Sequence, residues 1–287
     1  MPPRARRAPT TPAARRAAAS KPSRPTAIVN LQDPSRVSHF KWWLYGASGV
    51  GKTVLLGTVP DKHLIVTTDV DGTTSAKAFG STADELKVNS WAEYNAFHEW
   101  FVHEGHTEYP WLSLDTVDEL EELCWQAQLV DPTMKRFSKY QPNKADYPVV
   151  WRKVREAVME LNRLPANVLY TSHVMRIDTE DEDGEDTVTM AMPQVGSTKR
   201  GDLSSYLCAQ MSLVGYMRSV HSDDGKEVRK LYTSAGGRWV AKERYNAFGK
   251  GILNPTVPAM LAKIEAAQAG TTGTTERPRR RARRATR

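Results

Sequence analysis

Eight consecutive residues, Gly46-Ala47-Ser48-Gly49-Val50-Gly51-Lys52-Thr53, constrain this chain more than any other stretch. They fit the spacing Gly-x4-Gly-Lys-Ser/Thr, with the apolar run HFKWWLY (39–45) before them and the helical pattern TVLLGTV after. Glycines let the backbone turn tightly enough for successive N–H groups to face one point, which makes a cradle for phosphate oxygens. The spacing then puts Lys52 on the β and γ phosphates and the Thr53 hydroxyl on Mg²⁺. Residues 46–53 are therefore expected to bind ATP with Mg²⁺. The alternative is a chance match in a glycine-rich loop, which the flanking strand and helix disfavour.

Around this loop, apolar runs of strand length alternate with helical patterns, as in a parallel α/β sheet. HFKWWLY, HLIVTTD (63–69), YPWLSLD (109–115) and ANVLYTSH (166–173) read as strands. WAEYNAFHEWFVHEG (91–105), TVDELEELCWQAQLV and PVVWRKVREAVMELNRL read as helices. Beyond residue 173 the pattern changes to AQMSLVGYMRS, KEVRKLYTS and GRWVAKERY, joined by turn signals such as Asp224-Gly225, so an antiparallel hairpin extension is expected. The expected layout is one α/β domain over 26–267, flanked by disordered basic tails at 1–25 and 268–287.

Composition narrows the classes further. The 287 residues suffice for a large core, and apolar runs fall short of the roughly 20 residues of a membrane span, so no membrane partner is expected. Cys124 and Cys208 are the two cysteines, with no CxxC pair, which excludes a disulfide framework and suits a reducing cytoplasm. His98, His103 and His106 lack a standard zinc spacing, and Trp42, Trp43, Trp111 and Trp151 fall where core packing is expected. The net charge of +7 is unevenly spread: residues 1–25 and 276–287 together carry +13, leaving −6 for the rest. Such arms suit nonspecific contact with nucleic-acid phosphates, or serve only to solubilise; their prolines argue against an import helix.

Three more positions carry candidate chemistry. Asp115 ends the buried strand WLSLD, where a carboxylate can hold the magnesium shell, and also cap the helix that begins at Thr116. Asp71, in Asp69-Val70-Asp71-Gly72 after HLIVTTD, is the candidate base that orients the attacking water, or else part of an ordinary Asp-x-Asp-Gly turn. His173 follows the strand ending Thr171-Ser172, at the sheet edge where ligands bind in open α/β folds, and is a candidate γ-phosphate sensor or a plain loop residue.

The order of strand, GASGVGKT, strand with DVDG, strand WLSLD, helices, strand LYTSH and late hairpins with Lys242-Glu243-Arg244 resembles the RecA/RadA ATPase core over residues 37–267. The likeness is to the short bacteriophage RecA-like recombinase and annealing ATPases in particular. That resemblance implies a RecA-like P-loop NTPase fold and assembly as rings or filaments on single-stranded DNA, with ATP sites between subunits. It further implies that His173 matches the family's polar sensor and that Lys242 and Arg244 match a KxR finger reaching the neighbouring subunit's nucleotide. A single-strand-binding protein is a further implied partner. The family's DNA loop corresponds to residues 174–203, where the acidic run 179–186 reads as a solvated hairpin tip and Lys199 and Arg200 are the candidate DNA contacts. Asp71 stands where the family commonly has Glu. The expected function is DNA-stimulated ATP hydrolysis in phage recombination or annealing, in the host cytoplasm. The alternatives are a nucleotide-gated DNA-binding or helicase-loading protein with little turnover, and a P-loop kinase, though the only arginine-dense segments are terminal.

Overall fold

The structure, a computed structural model, describes residues 39–69, 71–131, 141–180, 187–196, 202–222 and 224–271. Lys199 and Arg200 lie outside these residues, as do the segments 1–25 and 272–287 and the acidic positions 181–186.

The chain runs β1 (Lys41–Gly46), α1 (Lys52–Leu56), β2 (His63–Thr67), α2 (Thr74–Ala78), β3 (Asp84–Lys87) and α3 (Trp91–Trp100). A π turn at Phe101–Gly105 and the short α4 (His106–Glu108) extend α3 toward β4 (Trp111–Asp115). Helices α5 (Val117–Leu129) and α6 (Asp146–Arg163) then lead to β5 (Asn167–Ser172). A ribbon of β6 (Val174–Glu180) and β7 (Thr187–Pro193) follows, then α7 (Asp202–Gln210). The closing elements are β8 (Leu213–His221), β9 (Glu227–Tyr232), β10 (Lys242–Glu243), β11 (Ile252–Leu253) and α8 (Val257–Thr271).

Strands β8-β1-β5-β4-β2-β3 lie side by side in that order, all parallel. Antiparallel β9 and β11 extend the β8 edge, and β10 pairs with the first residues of β8. This is the expected mostly parallel α/β sheet with a C-terminal antiparallel extension. Two expectations shift in detail. AQM was read as the start of a strand, but α7 runs to Gln210 and Met211 is a buried junction. GRWVAKERY was read as a hairpin strand, but it pairs regularly only at Lys242–Glu243, with a further bridge from Trp239 to Ala191.

β1 is buried along its whole length, and its alternation sends side chains into two separate cores. Trp43 and Tyr45 join the core under α3, α5, α6 and α7, whereas Trp42 and Leu44 join the core under α1 and α8. Each indole N–H finds a partner: Trp43 donates to Ser172 Oγ at 3.0 Å and Trp42 to Tyr245 Oη at 3.0 Å. Trp42, Trp43 and Trp111 are thus core residues, as expected, and Trp151 packs partly buried against the same core as Trp43. His98 and His106 turn their rings to the backbone carbonyls of Ala157 and Phe101. Among the described residues, no helix is long and apolar enough to cross a membrane.

His63 on β2 is 2% exposed, with Nε2 2.7 Å from Ser113 Oγ, and burial lowers its pKa from 6.5 to about 4. Because the folded state resists protonation that the unfolded chain accepts, this histidine lowers stability as pH falls from 6.5 toward 4. Urea unfolding should show about 2 kcal/mol of stability lost between pH 7 and pH 5 that is absent in His63→Gln.

Candidate active site

The sheet's parallel strands end nearly level, since Tyr45 pairs with Ser172, Leu114 with Tyr170 and Thr67 with Asp115. Chain segments leaving this edge carry most of the candidate residues. Gly46 ends β1 where a side chain would collide with the Met217 carbonyl of β8. Ala47, Ser48 and Gly49 form an exposed crest, and Val50 anchors the loop in the core. Gly51 caps α1 at φ +96°, a left-handed backbone that side chains rarely tolerate. A Cβ there would also lie 2.5 Å from Nε of Arg229, a β9 residue whose guanidinium crosses the loop and stands 5.6 Å from the exposed Phe79 ring.

Lys52 is 6% exposed, and its ammonium donates to the carbonyls of Gly46 at 3.1 Å and Ala47 at 3.0 Å. Burial lowers its pKa, while the nearby Asp115 and Asp118 charges oppose that shift. Thr53 Oγ1 donates to Asp115 Oδ2 at 2.6 Å, and Thr171 Oγ1 donates to the other oxygen of the same carboxylate. Burial raises the Asp115 pKa; the hydrogen bonds from Thr171 and Thr53 and the Lys52 charge pull it back.

Together these residues border a cavity of about 550 Å³ whose wall includes Lys52, Thr53, Asp69, Asp115, Glu119 and His173. The expected Gly46–Thr53 loop, Asp115 and His173 are therefore brought together. Asp71 is not. β2 ends at Thr67, the turn sends the Asp71 side chain to solvent, and its carbonyl accepts the Thr74 N–H that opens α2. Asp69 takes the place at the cavity wall, beside the end of β4.

Lys242 and Arg244 lie at the other end of the sheet. Lys242 pairs with Val214, near the start of β8, whereas Gly46 pairs with Met217, and both basic side chains donate to the Ala209 carbonyl at 2.8 Å. They cannot reach the cavity of their own chain. The candidate DNA contacts Lys199 and Arg200 lie outside the described residues, and the described parts of 174–203 form the β6–β7 ribbon and part of α7.

Sequence reasoning missed four residues of the site. Asp118 reads as an ordinary first-turn helix acid, and Glu119 completes a Thr-x-x-Glu helix start. Phe79 and Arg229 come to the loop only through α2 and the β8–β9 pairing, which no local pattern announces. Among the described residues, Asp118, Glu119 and His173 offer ligand atoms within 4.8 Å of one another. The shortest contact in that group is internal, His173 Nδ1 to Asp118 Oδ2 at 2.6 Å, and this hydrogen bond raises the His173 pKa against the effect of burial.

A nucleotide with its magnesium ion fits this donor set. Gly51 holds the left-handed turn of the loop, Lys52 offers a buried charge, and Thr53 and Asp115 present hard oxygens side by side. Gly51→Ala should lower affinity for a fluorescent ATP analogue about tenfold or more, from the left-handed backbone alone, with far-UV circular dichroism preserved.

No curated protein matches the chain. The model of one protein family, described as an AAA domain, matches residues 38–245, which span the parallel sheet, the ribbon and β8 to β10. With most of its length and its entire phosphate-binding loop inside that match, the chain belongs to the AAA domain family of P-loop NTPases.

Proposed function

We propose that the chain is a RecA-like ATPase acting on single-stranded DNA in recombination or annealing, of the kind that bacteriophages carry. The observation that carries the hydrolytic part is the Lys52, Thr53 and Asp115 constellation at the C-terminal edge of a parallel sheet. Lys52 leaves its loop carbonyls to meet the β and γ phosphates, and the loop amides hold the phosphate chain. Thr53 and Asp115 hold Mg²⁺, which when bound neutralises charge developing on the phosphate oxygens. Asp69 orients the water for in-line attack on the γ-phosphorus, and His173 faces the terminal phosphate. The β–γ bridging P–O bond breaks as the water oxygen bonds phosphorus, yielding ADP and inorganic phosphate.

The DNA part is supported by the +13 charge of the tails against an acidic middle, and by the order of elements that resembles the RecA-like phage proteins. Basic arms bind phosphate backbones by counterion release, without sequence preference. The decisive measurement is ATP turnover of the full chain with and without single-stranded DNA. Turnover should rise with DNA and fall at least a hundredfold in Lys52→Ala, because a preorganised charge on the transferring group is worth roughly 3 kcal/mol or more. Nucleotide binding without DNA-stimulated turnover would favour a loading or gating protein instead.

The position of Lys242 and Arg244 supports a shared ATP site. They lie far from their own loop, so head-to-tail stacking of two copies would bring one copy's pair toward the other's loop. Mixing two inactive variants, Lys52→Ala and Arg244→Ala, should restore part of the activity, since some interfaces pair an intact loop with an intact finger. Full activity of Arg244→Ala alone, or co-assembly without recovery, would assign these residues to holding the α7 terminus.

A further inference from the structure

Asp118 carries an arrangement that the phosphate-binding residues do not explain. It sits in the first turn of α5, its side chain only 5% exposed, and it spends both carboxylate oxygens on one residue. Oδ1 accepts the backbone N–H of His173 at 3.2 Å, and Oδ2 lies 2.6 Å from its Nδ1. A helix acid placed only to favour the helix dipole would face solvent; this one reaches across to the residue that follows β5.

The geometry has chemical consequences. Facing a carboxylate, Nδ1 must carry a proton, so Nε2 is the free polar atom of the ring: an acceptor when the ring is neutral and a donor only in the imidazolium. Anchoring the backbone N–H and the ring together removes the freedom of the side chain to swing away. The imidazole is one-third exposed and borders the cavity with Lys52 and Thr53, so Nε2 is the ring atom available to a ligand there. A partner carboxylate also stabilises the imidazolium, the form that donates to a phosphate oxygen.

His173 is held on its other side as well. Its carbonyl accepts the Gln194 N–H at 2.9 Å, just beyond β7, and the next residue, Val174, begins β6. The ring that faces the cavity is thus built on the backbone that roots the ribbon.

We propose that Asp118 is the positioning residue for His173, holding the imidazole so that Nε2 donates to the terminal phosphate of a bound nucleoside triphosphate. The assignment rests on the nucleotide-hydrolysis reading above. It concerns how the site distinguishes a triphosphate from a diphosphate, and involves no covalent step of its own.

The test compares affinity for ATPγS and for ADP in the full chain, with turnover measured alongside. Asp118→Asn keeps the size and the Oδ1 acceptor but removes the charge that holds the ring as the imidazolium. It should lower the ATPγS-to-ADP affinity ratio about tenfold and lower kcat, with ADP affinity within about twofold of the parent. His173→Ala should do the same, and the double variant should lose no more than His173→Ala alone. Asp118→Glu, which restores the charge on a longer arm, should recover part of the ratio. In ¹⁵N-histidine-labelled protein, Asp118→Asn should move the His173 ring signals from the doubly protonated imidazolium pattern toward that of a neutral ring, a change that general loosening would not produce.

An unchanged ratio in folded Asp118→Asn, or losses that add to those of His173→Ala, would overturn the assignment while leaving Lys52-dependent nucleotide binding intact. Failure of the parent protein to bind either nucleotide would overturn the hydrolysis reading and this assignment with it.

Discussion

One buried carboxylate, Asp115, receives hydroxyl donors from both Thr53 on α1 and Thr171 on β5, and so ties three elements together at the edge of the sheet. An ionised carboxyl removed from water is unfavourable unless donors and opposite charge compensate it. Here the compensation comes from the residues that must be aligned for phosphate chemistry: the two hydroxyls and the Lys52 ammonium. The position of the phosphate-binding loop over the sheet is therefore coupled to the state of Asp115. Loss of either threonine hydroxyl would leave the charge under-satisfied and loosen the loop from the strands beneath it.

Much of the framework was legible because β1, β2, β4 and β5 are buried on both faces and read as continuous apolar runs. The strand β3, Asp-Glu-Leu-Lys, was not. It is a mostly exposed edge strand, and its charged side chains carry no apolar signature. The β6–β7 ribbon was legible only through the hairpin tip read at 179–186; its two strands pair with each other and meet the rest of the chain's β-structure through the Ala191–Trp239 bridge. Asp115 and the glycine loop were found because their spacing to strands is rigid. Which carboxylate of Asp69-Val70-Asp71-Gly72 meets the cavity was not legible, because a turn, unlike a strand, does not fix which side chain faces the sheet edge: Asp69 lines the cavity and Asp71 faces solvent.

Arg229 and Phe79 illustrate the remaining gap. In sequence, Arg229 is one charge among several in KEVRKLY, and Phe79 ends a short helix. Their meeting at the loop depends on β8 lying next to β1 and β9 next to β8, which is information about sheet order. Asp118 is similar: its partner is 55 residues away, and only the adjacency of β4 and β5 brings them together. The C-terminal sheet edge thus gathers residues whose local contexts are unremarkable helix turns and strand charges.

The self-satisfied ammonium of Lys52 sets a threshold on what the loop will accept. Two backbone carbonyls already meet its charge, so an incoming ligand must exchange those contacts for its own. A neutral or singly charged group gains little from such an exchange. A polyphosphate, bringing several negative oxygens at once, recovers the lost contacts and adds attraction to the buried charge. The loop therefore selects by charge density before any base or sugar is read, and chloride or a lone carboxylate in the surrounding solution makes a poor competitor.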